Sequence, residues 1–197
     1  MADSRPHISI IAGPNGSGKS TCGPAILQNI FQISEFVNAD TIATGLSAFQ
    51  PGDVAIEASR IMLNRLKTLA NKKENFAFET TLSSRTFAAW IAKIKKNGYK
   101  FSLVYFWLHN ADLAIERVAA RVRLGGHNIP EQTIRRRYET SLLNFFALYQ
   151  PLADNWYFYD NSEANNPILV AKGEFQSHFE VYQPHQWSLI EEYKDEN

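Results

Sequence analysis

A single cysteine, Cys22, stands in a chain of 197 residues. It excludes an intramolecular disulfide and a zinc site built from cysteines. Its place just behind a glycine-rich loop fits burial in a helix better than catalysis. The chain also lacks any excess of charge. Its 20 basic side chains match its 20 acidic ones, which argues against nucleic acid as a general partner. No apolar run is long enough to span a membrane, and the leader Met1 to Pro6 is short and polar. A cytoplasmic protein is therefore expected, with neither membrane nor nucleic acid as partner. Repeats, low-complexity tracts and linkers are missing as well. With 45% apolar and 20% charged residues, residues 1–197 read as one α/β domain with a core of ordinary size.

What is present is a stretch that organises the rest. Gly13-Pro14-Asn15-Gly16-Ser17-Gly18-Lys19-Ser20 satisfies G-x-x-x-x-G-K-[ST] at every fixed position. His7 to Ala12 before it reads as a buried strand, and Thr21 to Asn29 after it as a helix. Gly16 and Gly18 let the backbone turn tightly and approach a ligand. The loop N–H groups then form an anion nest, reinforced by the positive end of the helix. Lys19 is expected to reach the β- and γ-phosphates and Ser20 to ligate Mg²⁺. Pro14, lacking an N–H, bounds the loop. Residues Gly13 to Thr21 are thus the expected seat of ATP·Mg²⁺.

Strands and helices alternate along the chain. Glu35 to Asn38 is a short strand, followed by a loop with Gly45, Pro51 and Gly52. A helix capped by Asp53 runs to about Asn71, with Ile56, Ile61, Met62, Leu66 and Leu69 on its apolar positions. Phe76 to Phe78 is a strand, Thr86 to Lys96 a helix stopped by Gly98, and Phe101 to Leu108 a strand apolar on both faces. Helices follow at Ala111 to Leu124 and Glu131 to Tyr149, then a strand at Trp156 to Tyr159. The pattern predicts a parallel sheet of five strands with right-handed crossovers, in three layers. Beyond residue 160, Ile168 to Lys172 and Phe179 to Tyr182 read as a hairpin turned near Gly173. Gln186 to Tyr193 reads as a last helix with an acidic, solvated end; residues 161–197 form a small appendage.

Ligands of such sheets bind beyond the carboxyl ends of the strands. There the chain places Asp40, then Glu79-Thr80-Thr81, then His109-Asn110. Two carboxylates beside a triphosphate have a use: one accepts a proton from an attacking hydroxyl, the other holds the second substrate or acts through water on Mg²⁺. The plainer readings are a helix cap for Asp40 and a structural role for Glu79. A second feature is Arg117, Arg121, Arg123, Arg135, Arg136 and Arg137, six of ten arginines within Glu116 to Tyr138, a window without lysine. Arginine without lysine favours bidentate phosphate recognition. Arg117 and Arg121 share a helix face, and Gly125-Gly126 supplies a joint. Residues 116–138 therefore read as a lid that closes on the phosphates, the alternative being a charged helix surface. Helical geometry turns Arg136 to solvent and leaves Arg137 and Arg135 flanking the apolar face. His127 fits either a phosphate or base contact or a cap on the preceding helix.

The loop at Gly13 to Ser20, Asn38-Ala39-Asp40-Thr41-Ile42-Ala43, Phe78-Glu79-Thr80-Thr81-Leu82-Ser83, and Arg117 to Arg137 with its Gly-Gly-His-x-Ile-Pro loop together resemble the zeta toxin family. The likeness is to its short members, often labelled predicted ABC-type ATPases, although no LSGGQ-like segment occurs here. It runs from about Ile8 to Tyr159. The resemblance implies a P-loop kinase with sheet order 2-3-1-4-5 and ATP and Mg²⁺ as cofactors. It implies phosphorylation of a nucleotide-sugar hydroxyl, as on UDP-N-acetylglucosamine, and an antitoxin protein as partner. By position it makes Lys19 the P-loop lysine and Asp40 the general base. Glu79, with Thr80 and Thr81, becomes the acceptor site, and Arg117 or Arg121 the lid arginine on the transferred phosphoryl group. Arg121 and Arg137 are the expected phosphate contacts. The rival from another class is a nucleotide-hydrolysing switch; the N-K-x-D base-reading motif of GTPases is missing.

Overall fold

Residues 5–163, 166–174 and 179–196 are described by the structure, a computed structural model. Among these residues its frame is one sheet of seven strands. The strands are β1 His7–Ala12, β2 Phe36–Val37, β3 Phe76–Thr80, β4 Lys100–Trp107, β5 Asn155–Asp160, β6 Ile168–Glu174 and β7 Phe179–Val181. The first five are parallel, in the expected order 2-3-1-4-5. β6 and β7 add to the far edge antiparallel. The helices are α1 Lys19–Ile26, α2 Ala39–Leu46, α3 Ala55–Asn71, α4 Thr86–Lys96, α5 Ala111–Arg123, α6 Glu131–Asn144 and α7 Pro184–Glu196.

Both faces of the sheet are covered, which explains the unbroken apolar run of β4. Phe101, Leu103, Tyr105 and Trp107 point to the side of Met62, Leu66, Ile91 and Phe145. Val104 and Phe106 point to the opposite side, with Ile11 and Leu27. This two-sided burial makes the three layers. A third cluster seats α5 against α6 through Ala114, Val118, Ile134 and Tyr138, above Leu108 at the end of β4. It anchors the arginine-bearing pair of helices at the sheet's carboxyl edge. Among the described residues no helix is long and apolar enough to cross a membrane.

Several elements differ from expectation. Residues 39–46 form α2 where a loop was expected, because Asn38 caps that helix: its Oδ1 accepts from the Asp40 and Thr41 N–H groups at 2.7 and 3.1 Å. Asp40 is thus inside the helix and is not its cap. Asp53 does not cap α3 either; that helix opens after Val54 without a side-chain cap. Its buried face is Ala58, Met62, Leu66 and Leu69, while Ile56 is 73% exposed and Ile61 39%. α6 ends at Asn144 and continues as a π-helical segment, Phe145–Tyr149. The residues read as an appendage belong to the main sheet. Gly173 lies within β6, against the Trp156 ring, and not at a turn; residues 175–178 and the side chains of Asp195 and Glu196 fall outside the described residues. On α7, Trp187 stacks on Trp156 at 5.9 Å between ring centroids and meets Phe146, Phe158 and Phe179 edge-on or tilted.

This ring cluster is part of the principal core. Trp187→Ala is expected to lower the free energy of unfolding by about 3–5 kcal/mol, read from urea denaturation. A wild-type midpoint would mean that α7 lies outside the cooperative unit.

Candidate functional site

The P-loop is built where β1 stops. Gly13, at φ 136°, runs flush against β4: a Cβ there would lie 2.2 Å from the Phe106 carbonyl oxygen. On Gly18, at φ 83°, an added Cβ would likewise lie 2.2 Å from the Asn161 Nδ2. No L side chain fits either position, so both glycines are set by tertiary approach as well as by turn geometry. Asn161, buried at the end of β5, donates from Nδ2 to the Ser17 carbonyl at 2.8 Å. The loop is thereby pinned from behind.

Lys19 is the centre of the site. It is 6% exposed, and its ammonium donates to the Pro14 carbonyl at 2.8 Å. Burial pulls its pKa down from the usual lysine value. Glu79 and Asp40 oppose that shift, while Arg121 and Arg137 reinforce it. Glu79, at the end of β3, lies 3.9 Å from the ammonium through Oε1. Its carboxylate also accepts the Ser20 hydroxyl at 2.8 Å and 3.1 Å and the Asn38 amide at 2.8 Å. Asp40 is exposed, and among the described residues its carboxylate has no hydrogen-bond partner. Its field reaches both Lys19 and Arg137. The two carboxylates are therefore different in kind: one is engaged beside the P-loop serine, the other is open.

The arginines separate in the same way. Arg117 donates both terminal nitrogens to backbone carbonyls, Nη1 to Asn161 at 2.7 Å and Nη2 to Ser162 at 2.8 Å. It braces the loop that pins Ser17. Arg137 is half-buried, with Nη1 3.3 Å from Oδ1 of Asn15 in the P-loop. Burial and Arg136 depress its pKa, against Asp40. Arg121 is exposed and donates to the His127 carbonyl at 3.1 Å. Arg135 is held by Asp112 at 2.7 Å and Glu131 at 2.8 Å, on the surface. Arg123 and Arg136 are exposed. His127 does not cap α5: the Gly125 and Gly126 amides bond the last carbonyls instead, and the His127 ring rests on Gly52.

Beyond β3 the chain makes a strained turn. Leu82 is fully buried in the left-handed conformation, φ 55°, a state that costs a branched side chain about 1–2 kcal/mol. Two groups from the far end of α6 and its π-helical extension hold it. Asn144 Nδ2 donates to the Leu82 carbonyl at 2.7 Å, and the Tyr149 hydroxyl to the Ser84 carbonyl at 2.6 Å. Thr80 Oγ1 accepts from the Leu82 N–H at 3.2 Å, and the Thr81 and Ser83 hydroxyls pair at 2.8 Å. Asn144 and Asn161 escape a reading by motif, and the bond from Asn38 to Glu79 does too. Only Asn38 carries a local signal, as an N-cap residue type before a helix.

The comparisons with known proteins agree with this architecture. A family model described as an AAA domain matches residues 8–140. An uncharacterized protein of Haemophilus influenzae is 31% identical over 126 residues, covering 64% of this chain and 88% of that protein. Among solved structures, a chain of the AvrRxo1-ORF1:-ORF2 complex with ATP superposes with a TM-score of 0.74 at 16% identity, covering 94% of this chain. The chain spans 63% of the length of that structure. A chain of the PezAT chromosomal toxin–antitoxin system of Streptococcus pneumoniae gives 0.60 at 14% identity, over 100% of this chain and 89% of its own. At these identities the two structures show the fold, that of P-loop kinase-like proteins.

Asn144→Ala strands the buried Leu82 carbonyl, and a loss of about 1–3 kcal/mol is expected. Equilibrium denaturation in urea reads it directly; an unchanged free energy would show that the turn holds itself.

Proposed function

The chain belongs to the AAA domain family, and from that premise we propose that it is an ATP-dependent kinase of a small hydroxyl-bearing molecule. The observation that carries this reading is the pair of unlike carboxylates about one buried lysine: Glu79 engaged, Asp40 open. An open carboxylate beside the engaged one is free to take a proton from an acceptor hydroxyl.

In this reading the triphosphate lies on residues Gly13 to Thr21, its charge met by the loop N–H groups, Lys19, Arg137 and Arg121. The Ser20 hydroxyl and Glu79 carboxylate are hard oxygen donors brought within 2.8 Å of each other. They fit Mg²⁺, which takes one or two protein oxygens and completes its shell with water and phosphate. Among the described residues no cluster of three His, Cys, Asp or Glu offers a separate metal cage. Bound there, the ion would neutralise charge on the phosphates. Asp40 takes the proton of the acceptor hydroxyl as that oxygen bonds to the γ-phosphorus. The bond from the γ-phosphorus to the bridging oxygen breaks, and ADP leaves with that oxygen. The barrier falls through positioning and electrostatics. Thr80, Thr81 and the Ser83 hydroxyl line the acceptor side, on the turn fixed at Leu82.

The finer reading follows the zeta-toxin-like segments. The acceptor is a nucleotide sugar, with UDP-N-acetylglucosamine the first to try, and a protein antitoxin is the partner. The likeness to a toxin–antitoxin chain supports this at the level of the fold. Glu79 takes the metal side rather than the acceptor side, supported by its bonds to Ser20. Arg117 becomes a brace, and Arg137 takes its place as the second lid arginine, supported by its contact with Asn15.

The test is a panel of nucleotide sugars, nucleosides and sugar alcohols offered with ATP·Mg²⁺, each product weighed by mass spectrometry. A phosphomonoester of one acceptor is expected; phosphate released equally with every acceptor would favour a hydrolytic switch. With that acceptor, Asp40→Asn is expected to keep ATP affinity and lose transfer by about 10²–10⁴-fold. Arg137→Ala is expected to lower kcat more than it raises KM for ATP. A change confined to KM would remove Arg137 from the transition state.

A further inference from the structure

Asn38 touches both halves of the site. It is 8% exposed, and both ends of its amide are engaged. Oδ1 accepts from the Asp40 and Thr41 N–H groups at 2.7 and 3.1 Å, capping α2. Nδ2 donates to Glu79 Oε2 at 2.8 Å. The amide has one chemically sensible orientation. Flipped, its NH₂ would face two N–H donors and its oxygen a carboxylate.

We infer that Asn38 is the positioning residue of this site, the one side chain that fixes Asp40 and Glu79 relative to each other. Asp40 is the second residue of the helix that Asn38 caps, so the cap sets where that carboxylate stands at the edge of the P-loop. The same amide holds the Glu79 carboxylate with its oxygens on the Ser20 hydroxyl at 2.8 and 3.1 Å and Oε1 3.9 Å from Lys19. Serine or threonine caps a helix but is too short to reach Glu79. Aspartate caps but sets an acceptor against an acceptor. Glutamine is one methylene too long for the cap. The dual demand for an acceptor on one side and a donor on the other singles out asparagine.

The functional consequence rests on the kinase reading: with Asn38 removed, Glu79 loses its orientation toward Ser20 and Asp40 its registration. The contact itself is independent of that reading, and the experiment keeps the two apart. In the protein alone, Asn38→Ser, Glu79→Ala and the double variant form a thermodynamic cycle of unfolding. Asn38→Ser is expected to keep its melting midpoint within a few degrees, because the cap survives. The cycle is expected to be non-additive, the Asn38 substitution having almost no effect once Glu79 is gone. In parallel, calorimetry measures the gain in ATP affinity on adding Mg²⁺. Asn38→Ser is expected to cut that gain by about tenfold, with Mg²⁺-free ATP affinity unchanged. Asn38→Asp should lose the gain or reset it, while a residue that only caps would leave it intact. An additive cycle, or Asn38→Ser with the wild-type Mg²⁺ gain, overturns the inference. If the wild-type protein itself shows no Mg²⁺ gain, the placement of Mg²⁺ on Ser20 and Glu79 fails, and the cycle alone still decides whether Asn38 holds Glu79.

Discussion

A lysine ammonium that is 6% exposed must be kept charged at the mouth of a loop that collects anions. Burial works against the charge, and so do the neighbouring arginines Arg121 and Arg137. The protein offsets both with carboxylates rather than with solvent. Glu79 stands 3.9 Å away, and Asp40 acts from farther out. The surrounding architecture can be understood from this balance. Parallel pairing sets Ile11 beside Glu79 and Ala12 beside Thr80, which brings the acid at the end of β3 level with the start of the P-loop. The order 2-3-1-4-5 is what makes β3 the neighbour. The arginines arrive on α5 and α6, so Lys19 stands among acids from β3 and α2 and arginines from those two helices. A triphosphate entering between them would replace the Pro14 carbonyl as the partner of Lys19.

Rigidity is distributed unevenly around this centre. The P-loop is pinned by Asn161 and braced through Arg117. The turn at Leu82 is held by Asn144 and Tyr149. One continuous helical segment carries Arg137 near one end and those two clamps at the other. It thus touches the P-loop and the turn beyond β3 at once. By contrast, most of the loop at 124–130 is exposed: Leu124 is 90% exposed, while His127 lies against Gly52 and Ile129 packs on the third cluster. A fixed floor and an exposed loop above it suit the proposed kinase, which would admit two substrates and exclude water.

The frame was legible in the sequence because its signals are local. The P-loop motif, the two-sided apolar run of β4 and the acids after β2 and β3 each announce themselves within a few residues. What escaped was decided by partners far along the chain. Ile56 and Ile61 keep a helical period, yet the face that meets the sheet is Ala58, Met62, Leu66 and Leu69. α7 is amphipathic only weakly, and its place in the core depends on Trp187 finding four rings from other elements. Arg117 looks like any other arginine of its cluster until the carbonyls of Asn161 and Ser162 are set beside it. Asn38 stands in a motif but reads there only as the end of the strand that leads to Asp40. Its amide has two jobs, and only the second, the bond to Glu79, required the fold.

The central claim is that the γ-phosphate leaves for a hydroxyl other than that of water. The stoichiometry of ADP to free phosphate, followed together in one reaction with ATP, Mg²⁺ and UDP-N-acetylglucosamine, tests it most directly. The account predicts ADP well in excess of free phosphate, the difference appearing as phosphorylated sugar nucleotide or, with a different acceptor supplied, as its phosphomonoester. ADP and free phosphate in equal amounts with every acceptor supplied would contradict it.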